Sequence, residues 1–219
     1  MKKDLQGKKI LITAGPTWVP IDKLRVITNI FKGTLGLVIA QKAQSMGAKV
    51  VVLLGPSPIQ LSKKNKNLKI INFKFFDELL KLMKEEISSK KYDAVIHSAA
   101  VADYTPVKIY DGKIKSTKKR LVIVLKPTMK IVNLIRDWDP SIFLVKFKLE
   151  IGLSKKELID VAYKSMIFSK ADLVVANNLD HMVGNKYIGF IVDKNKMVKG
   201  FNQKEKLASA LIKIIKKNL

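Results

Sequence analysis

Apolar runs alternate with helix-period patterns along the whole chain. Lys9-Ile10-Leu11-Ile12-Thr13 reads as a first strand. Gly33 to Met46 reads as a helix, with Leu35, Val38, Ile39, Ala43 and Met46 spaced near 3.6 and Gly47 as its stop signal. Lys49 to Leu54, Leu68 to Phe73 and Asp93 to Ser98 predict strands. Asp77 to Ile87 predicts an amphipathic helix with Asp77 as its N-cap. Leu121 to Leu125 and Ile142 to Phe147 predict strands on either side of a helix over Thr128 to Trp138. Ser154 predicts the cap of a helix running toward Ser169, followed by a strand at Asp172 to Ala176. Tyr187 to Val192 and Met197 to Phe201 predict a hairpin across Asp193 to Lys196, before a last helix over Gln203 to Lys217.

Strands alternating with helices imply an α/β fold, a Rossmann-like three-layer parallel sheet with helices on both faces. The small late hairpin adds to it. The strands are continuously apolar, so both faces are covered. No Pro/Gly/Ser-rich linker divides the chain, and residues 1–219 read as one domain. In such a sheet ligands sit beyond the carboxyl ends of the strands.

Those ends carry polar strings. After the first strand comes Ala14-Gly15-Pro16-Thr17, which is not the three-glycine dinucleotide fingerprint. A polar loop through Asp22, Arg25, Thr28 and Asn29 leads to Gly33 and Gly36, which open a helix. Glycines there let backbone N–H groups approach a phosphate, or equally serve a tight turn and close packing. After the strand ending at Ser98 comes Ala99-Ala100-Val101-Ala102-Asp103-Tyr104-Thr105-Pro106. Asp103 reads as a ligand for a cation or hydroxyl, or as a turn aspartate. Lys113 and Lys115 share one face of an extended stretch and read as phosphate clamps or as solvated lysines. Asn177-Asn178 end the strand that closes at Ala176. His97 reads as a satisfied interior histidine, and Trp18 and Trp138 as packing residues.

Composition narrows the chemistry. With no cysteine and two histidines, disulfides, zinc–thiolate sites, cysteine nucleophiles and a histidine-rich metal centre are excluded. No apolar run reaches the roughly 18 residues of a membrane span, and the charged start has no signal-peptide pattern. The expectation is a soluble, cytoplasmic protein. Lys+Arg 42 against Asp+Glu 18 leaves a net charge of +24. That excess fits a nucleic-acid face, a lysine-biased surface, or a site for a polyanionic small substrate. The lysines are dispersed, aromatic residues are few, and Arg25, Arg120 and Arg136 are the only arginines. This weighs against nucleic-acid readout.

Taken together, the strings resemble phosphopantothenoylcysteine synthetase, the ligase of coenzyme A biosynthesis. The resemblance rests on Leu11 to Thr17, Ile21 to Asn29, Gly33-Thr34-Leu35-Gly36, His97 to Val107, Gly112 to Ser116, Phe147 to Glu150 and Asp172 to Asn177, in the family's order. It implies the stand-alone form, with the decarboxylase as a separate partner. It implies a two-step ligation of 4′-phosphopantothenate and L-cysteine through an acyl-nucleotidylate. CTP is expected more than ATP, with Mg2+. Asn29 matches the asparagine that handles the intermediate, and Lys113 the lysine needed to form it. Gly15, Gly33, His97, Ser98, Ala99, Asp103, Lys113, Lys126, Thr128, Phe147 and Lys164 are implied as nucleotide contacts. Arg25, Asn29 and Asn177 are implied as substrate contacts, and Asp103 as a metal ligand. A homodimer is implied too, with the Tyr187–Phe201 hairpin either completing the neighbour's pocket or forming an ordinary edge. The chain departs from the family at Phe31-Lys32, where two small hydroxyl residues are usual. Lys146 stands where a glycine precedes the phenylalanine, Pro127 is displaced, and Asn178 replaces a carboxylate. These departures keep a catalytically inactive, nucleotide-binding relative open as an alternative.

Overall fold

An apolar run without polar interruption is stable as a strand only if both its faces are covered, and β1 (Lys9–Ala14) is buried at every position after Lys9. The computed structural model describes residues 4–59, 66–117, 119–182 and 187–219. After β1 come β2 (Trp18–Pro20), β3 (Val26–Thr28), α1 (Thr34–Ser45), β4 (Lys49–Leu54), β5 (Leu68–Asn72), α2 (Phe76–Ser88) and β6 (Ala94–His97). Then follow β7 (Tyr104–Pro106), β8 (Leu125–Pro127), α3 (Ile131–Trp138), β9 (Phe143–Glu150), α4 (Lys155–Phe168) and β10 (Leu173–Asn178). A 3-10 turn at Leu179–His181, β11 (Gly189–Asp193), β12 (Val198–Phe201) and α5 (Lys204–Asn218) complete the chain.

Eight strands form one sheet in the order β12-β11-β10-β9-β6-β1-β4-β5. The six from β10 to β5 are parallel. The expected late hairpin, β11 and β12, joins this sheet antiparallel at one edge and widens it. Because side chains alternate along a strand, Ile10, Ile12 and Ala14 pack on one face against Leu37, Ile39 and Ala40 of α1 and Leu207, Leu211 and Ile215 of α5. Leu11 packs on the other, with Leu79 and Met83 of α2, Ile131 and Ile135 of α3, and Leu158 and Met166 of α4. The three-layer expectation is met.

Several boundaries differ from the sequence reading. The N-cap of α2 is Phe75, not Asp77. The Glu78 carboxylate accepts from the backbone N–H groups of Lys74 at 2.6 Å and Phe75 at 3.2 Å, which starts the helix before Asp77. Asp77 instead places its charge in the first turn, where the helix dipole favours it. The strand expected at residues 121–125 is irregular until Leu125, and β8 pairs only with β7, off the main sheet. Its Val122 and Val124 are 60% and 65% exposed, so apolar character there did not mean burial. α3 begins at Ile131, later than Thr128. The Thr128 hydroxyl donates to the Ala102 carbonyl at 2.6 Å, and its N–H to that of Asp103 at 2.9 Å. Those bonds hold it in the preceding turn. The polar loop after β1 contains a hairpin of its own, β2 with β3. At the start of α4 the reading holds: Ser154 and Glu157 cap each other's backbone N–H.

Candidate active site

From β1 the chain crosses to β4 on one side, while β6 lies on the other. A crevice therefore opens at the carboxyl ends of β1 and β6, where the strand order reverses. The two strand tails stay paired beyond the sheet. Ala100 N–H donates to Gly15 O at 2.9 Å and Thr17 N–H to Ala100 O at 3.3 Å. The Ser98 hydroxyl donates to Thr13 O at 2.6 Å, and Ala99 N–H to Thr13 Oγ1 at 3.0 Å. Small residues at 98–100 are what this close approach permits.

On the α1 side of the crevice lies a cavity of about 240 Å3. Gly15, Gly33, Gly36, Ser98, Ala99, Phe147 and Asn177 line it, together with Phe31, Lys32, Tyr187 and Lys204. Its floor is the N-terminus of α1, whose N-cap is Gly33 with φ 76°. No side chain caps this helix and no acidic residue sits in its first turn. The orphan N–H groups and the positive end of the dipole are thus left for an anion. The packing reading of Gly33 and Gly36 is met here. A Cβ on Gly36 would lie 2.5 Å from Ser98 Oγ, and one on Gly33 2.5 Å from Gly15 N. Packing demands these glycines, and the same packing brings the helix terminus to the strand ends.

On the opposite face lies a second cavity of about 330 Å3. It is lined by Asn29, His97, Asp103, Lys130, Lys146 and Lys148 and shares Phe31, Ala99, Ala100, Phe147 and Leu149 with the first. The Asn29 amide donates to Ala100 O at 3.0 Å. His97 Nδ1 lies 3.1 Å from Thr13 Oγ1. Burial, reinforced by the positive charge of Lys146, pushes its imidazole down to about 4. The interior reading of His97 holds, and the ring is neutral at pH 7. Unfolding returns His97 to its ordinary value of 6.5, so between 6.5 and 4 the unfolded chain binds the extra proton. The stability difference is present above 6.5 and is lost as the pH falls toward 4, by up to about 3 kcal/mol. Urea midpoints measured from pH 7 to 4 are expected to fall, and His97→Gln is expected to flatten that slope.

Other expected site residues fall outside the two cavities. Asp22, buried at 3% exposure, gathers the loop after β1. Its carboxylate accepts from the N–H groups of Leu24 at 2.8 Å, Arg25 at 2.7 Å and Ile114 at 3.1 Å, and from the Arg25 guanidinium at 2.8 Å. The Ile114 N–H contributes most to holding this carboxyl below its usual range. Arg25 also donates to Ile114 O at 3.3 Å. Arg25 and the exposed Lys113 are therefore tied to one anchor. The sequence marks Asp22 only as a loop residue, since nothing local shows a partner 92 positions away. Lys126 is exposed on β8, and Lys164 is exposed on α4.

Asp103 is ion-paired with Lys130, which the sequence reading did not single out. Among the described residues no three His, Cys, Asp or Glu come together. The donor set therefore does not fit a metal held by the chain itself, and Asp103 offers one carboxylate already matched by a cation. Asn177 Oδ1 accepts from the Tyr187 hydroxyl at 2.8 Å. The Asn178 amide donates to Leu153 O at 2.8 Å while its oxygen accepts from Asp180 N–H at 3.1 Å. A carboxylate at 178 has no hydrogen to give Leu153, so the departure from the family at this position suits the surrounding loops. Among the described residues no helix is long and apolar enough to cross a membrane.

The chain is similar to several known proteins. Residues 5–219 match the model of the DNA/pantothenate metabolism flavoprotein C-terminal domain. The coenzyme A biosynthesis bifunctional protein CoaBC of Thermococcus kodakarensis is 41% identical over 177 residues, 81% of this chain and 43% of that protein. Its counterpart in Methanocaldococcus jannaschii is 30% identical over 216 residues, 97% of this chain and 51% of that protein. The chain thus spans about half the length of these curated relatives. The crystal structure of the DNA/pantothenate metabolism flavoprotein from Streptococcus pneumoniae superposes with TM-score 0.89 at 32% identity, covering 97% of this chain and 100% of that one. With the family model matched over nearly the whole chain, the chain belongs to the family of DNA/pantothenate metabolism flavoprotein C-terminal domains.

Proposed function

We propose that the chain is a phosphopantothenate–cysteine ligase that works through an acyl-nucleotidylate, with CTP preferred to ATP. The observation that carries this reading is the pair of cavities sharing one wall at the carboxyl ends of β1 and β6. One is floored by an uncapped helix N-terminus suited to phosphate, and the other is rimmed by Asn29 and three lysines. Membership of a family whose relatives are named for coenzyme A biosynthesis supports it.

In the first step a carboxylate oxygen of 4′-phosphopantothenate attacks the α-phosphorus of the nucleotide, and pyrophosphate leaves. In the second the cysteine amine attacks the acyl carbon. The nucleoside monophosphate leaves, and the amine nitrogen gives up a proton. The substrates supply both nucleophiles, so the chain's work is positioning and charge stabilisation. The α1 N-terminus holds phosphate oxygens. Asn29, fixed by Ala100 O, presents its amide to the acyl phosphate. Lys113, carried on the Asp22-anchored segment, meets the triphosphate as it reacts. The assembly we propose is a homodimer, supported by the exposed Ile30, Tyr104, Val107, Val122 and Val124 and by Met197 and Val198 of the late hairpin.

A pyrophosphate-release assay tests the reading with each nucleotide in turn, with and without cysteine. Phosphopantothenate alone is expected to release about one equivalent, and cysteine to allow turnover. Silence with both nucleotides refutes the ligase. Lys113→Ala is expected to slow pyrophosphate release by about 100-fold or more. Asn29→Asp is expected to release pyrophosphate but stall before amide formation. Unimpaired turnover in both variants removes these two assignments.

A further inference from the structure

Lys146 is a lysine that the interior should not tolerate alone. It sits in β9, at the centre of the sheet, between His97 of β6 and Val174 of β10. It is 6% exposed. Its ammonium donates to Ser165 O at 3.0 Å and Ser165 Oγ at 2.7 Å, which are neutral acceptors. An ammonium has three hydrogens, so one remains. The charged groups around it offer no compensation. His97 is neutral. Lys148 on the same strand is paired with Glu150, and Lys130 at the head of α3 is paired with Asp103. On α4, Lys164 is exposed and Asp160 is paired with Lys196. Of the three lysines lining the second cavity, Lys146 is the most buried and is the one for which no carboxylate partner is described. A buried cation is costly unless an anion faces it.

We propose that Lys146 provides the interior counter-cation for a phosphate or carboxylate oxygen of the ligand that enters the second cavity. The inference rests on the ligase reading for the ligand's identity, though not for its charge. It also gives the departure from the family at this position a function. Burial first, then Lys148 and Lys130, hold the ammonium down to about 8. Above that pH the empty site holds mostly neutral lysine. An arriving anion favours the charged form, so binding draws a proton from solvent.

Calorimetric titration in two buffers of different ionisation enthalpy counts that proton. The probes are CTP, 4′-phosphopantothenate and pyrophosphate, each with the whole chain. At pH 8.5 uptake of roughly three-quarters of a proton is expected for the probe that reaches Lys146, falling to roughly one-tenth at pH 7. The probe that shows it identifies whether the oxygen belongs to the nucleotide or to the pantothenate. K146M is expected to abolish the uptake and weaken that probe's binding by about tenfold or more. K146R, charged at both pH values, is expected to abolish the uptake as well. Uptake that persists in K146M, or K146M binding all probes as the parent does with only a changed melting temperature, overturns the proposal. Should K146M fail to fold, the pH dependence of the parent still decides: no difference between pH 8.5 and 7 overturns it. If neither CTP nor phosphopantothenate binds, the ligase reading fails by itself. Pyrophosphate then still shows proton uptake or its absence.

Discussion

Gly33→Ala is expected to abolish nucleotide binding and to lower the melting temperature by roughly 6–12 °C, equivalent to about 3 kcal/mol in a chain of this size. Two costs combine. The residue sits at φ 76°, where a side chain is strained. The added Cβ also has nowhere to go, at 2.5 Å from Gly15 N and 2.9 Å from Gly15 Cα. Backbone cannot swing aside as a flexible side chain can, so the helix terminus must lift from the strand end. That lift withdraws the α1 N–H groups from the cavity they floor. Thermal melts read the first effect and calorimetry with CTP the second. Gly7 is also at positive φ, but a Cβ there would meet nothing within 4 Å, so Gly7→Ala bears the strain without the collision. It is expected to leave CTP binding intact. Equal CTP affinity in Gly33→Ala and the parent would refute the account of the helix terminus as the phosphate floor.

Asp22→Asn is expected to reduce turnover by about 100-fold, the usual cost of displacing positioning groups by about 1 Å, although Asp22 touches neither cavity. Its carboxylate accepts four hydrogen bonds from Leu24, Arg25 and Ile114. An amide keeps one acceptor oxygen and turns two hydrogens toward groups that are themselves donors. The Arg25 loop and the Lys113 segment then come apart together. The loss is expected mainly in kcat with phosphopantothenate, because both carriers of positive charge move. Binding of CTP at the α1 terminus is expected to change little. Amide exchange should quicken at Ile114 in the variant, and unchanged protection there counts against the anchor.

Much of the framework was legible in the residue order. β1, β4, β6 and β10 are continuous apolar runs, and such runs have few other stable uses in a chain of this length. Ser154 announced α4 as its cap, and the structure adds Glu157 as the reciprocal partner. The strings at the strand ends were readable because a parallel sheet places its ligands there whatever the sequence. Failures came where a local pattern had a distant partner. Val122 and Val124 looked like core and are exposed, because a five-residue run carries no mark of what will cover it. Thr128 looked helical, but it is held by Ala102 and Asp103.

The sequence by itself determined the layered parallel sheet, the crevice at its carboxyl end and the family. Hydrophobic period and short motifs act over a few residues and survive in any linear reading. Only the tertiary structure decided that Asp22 joins Arg25 to Ile114, that Gly33 is pressed on Gly15, and that Lys146 is buried beside His97. Those facts depend on contacts between positions far apart in sequence. Burial, which turns an ordinary lysine or aspartate into a costly or indispensable one, is a property of the packed chain and not of the residue.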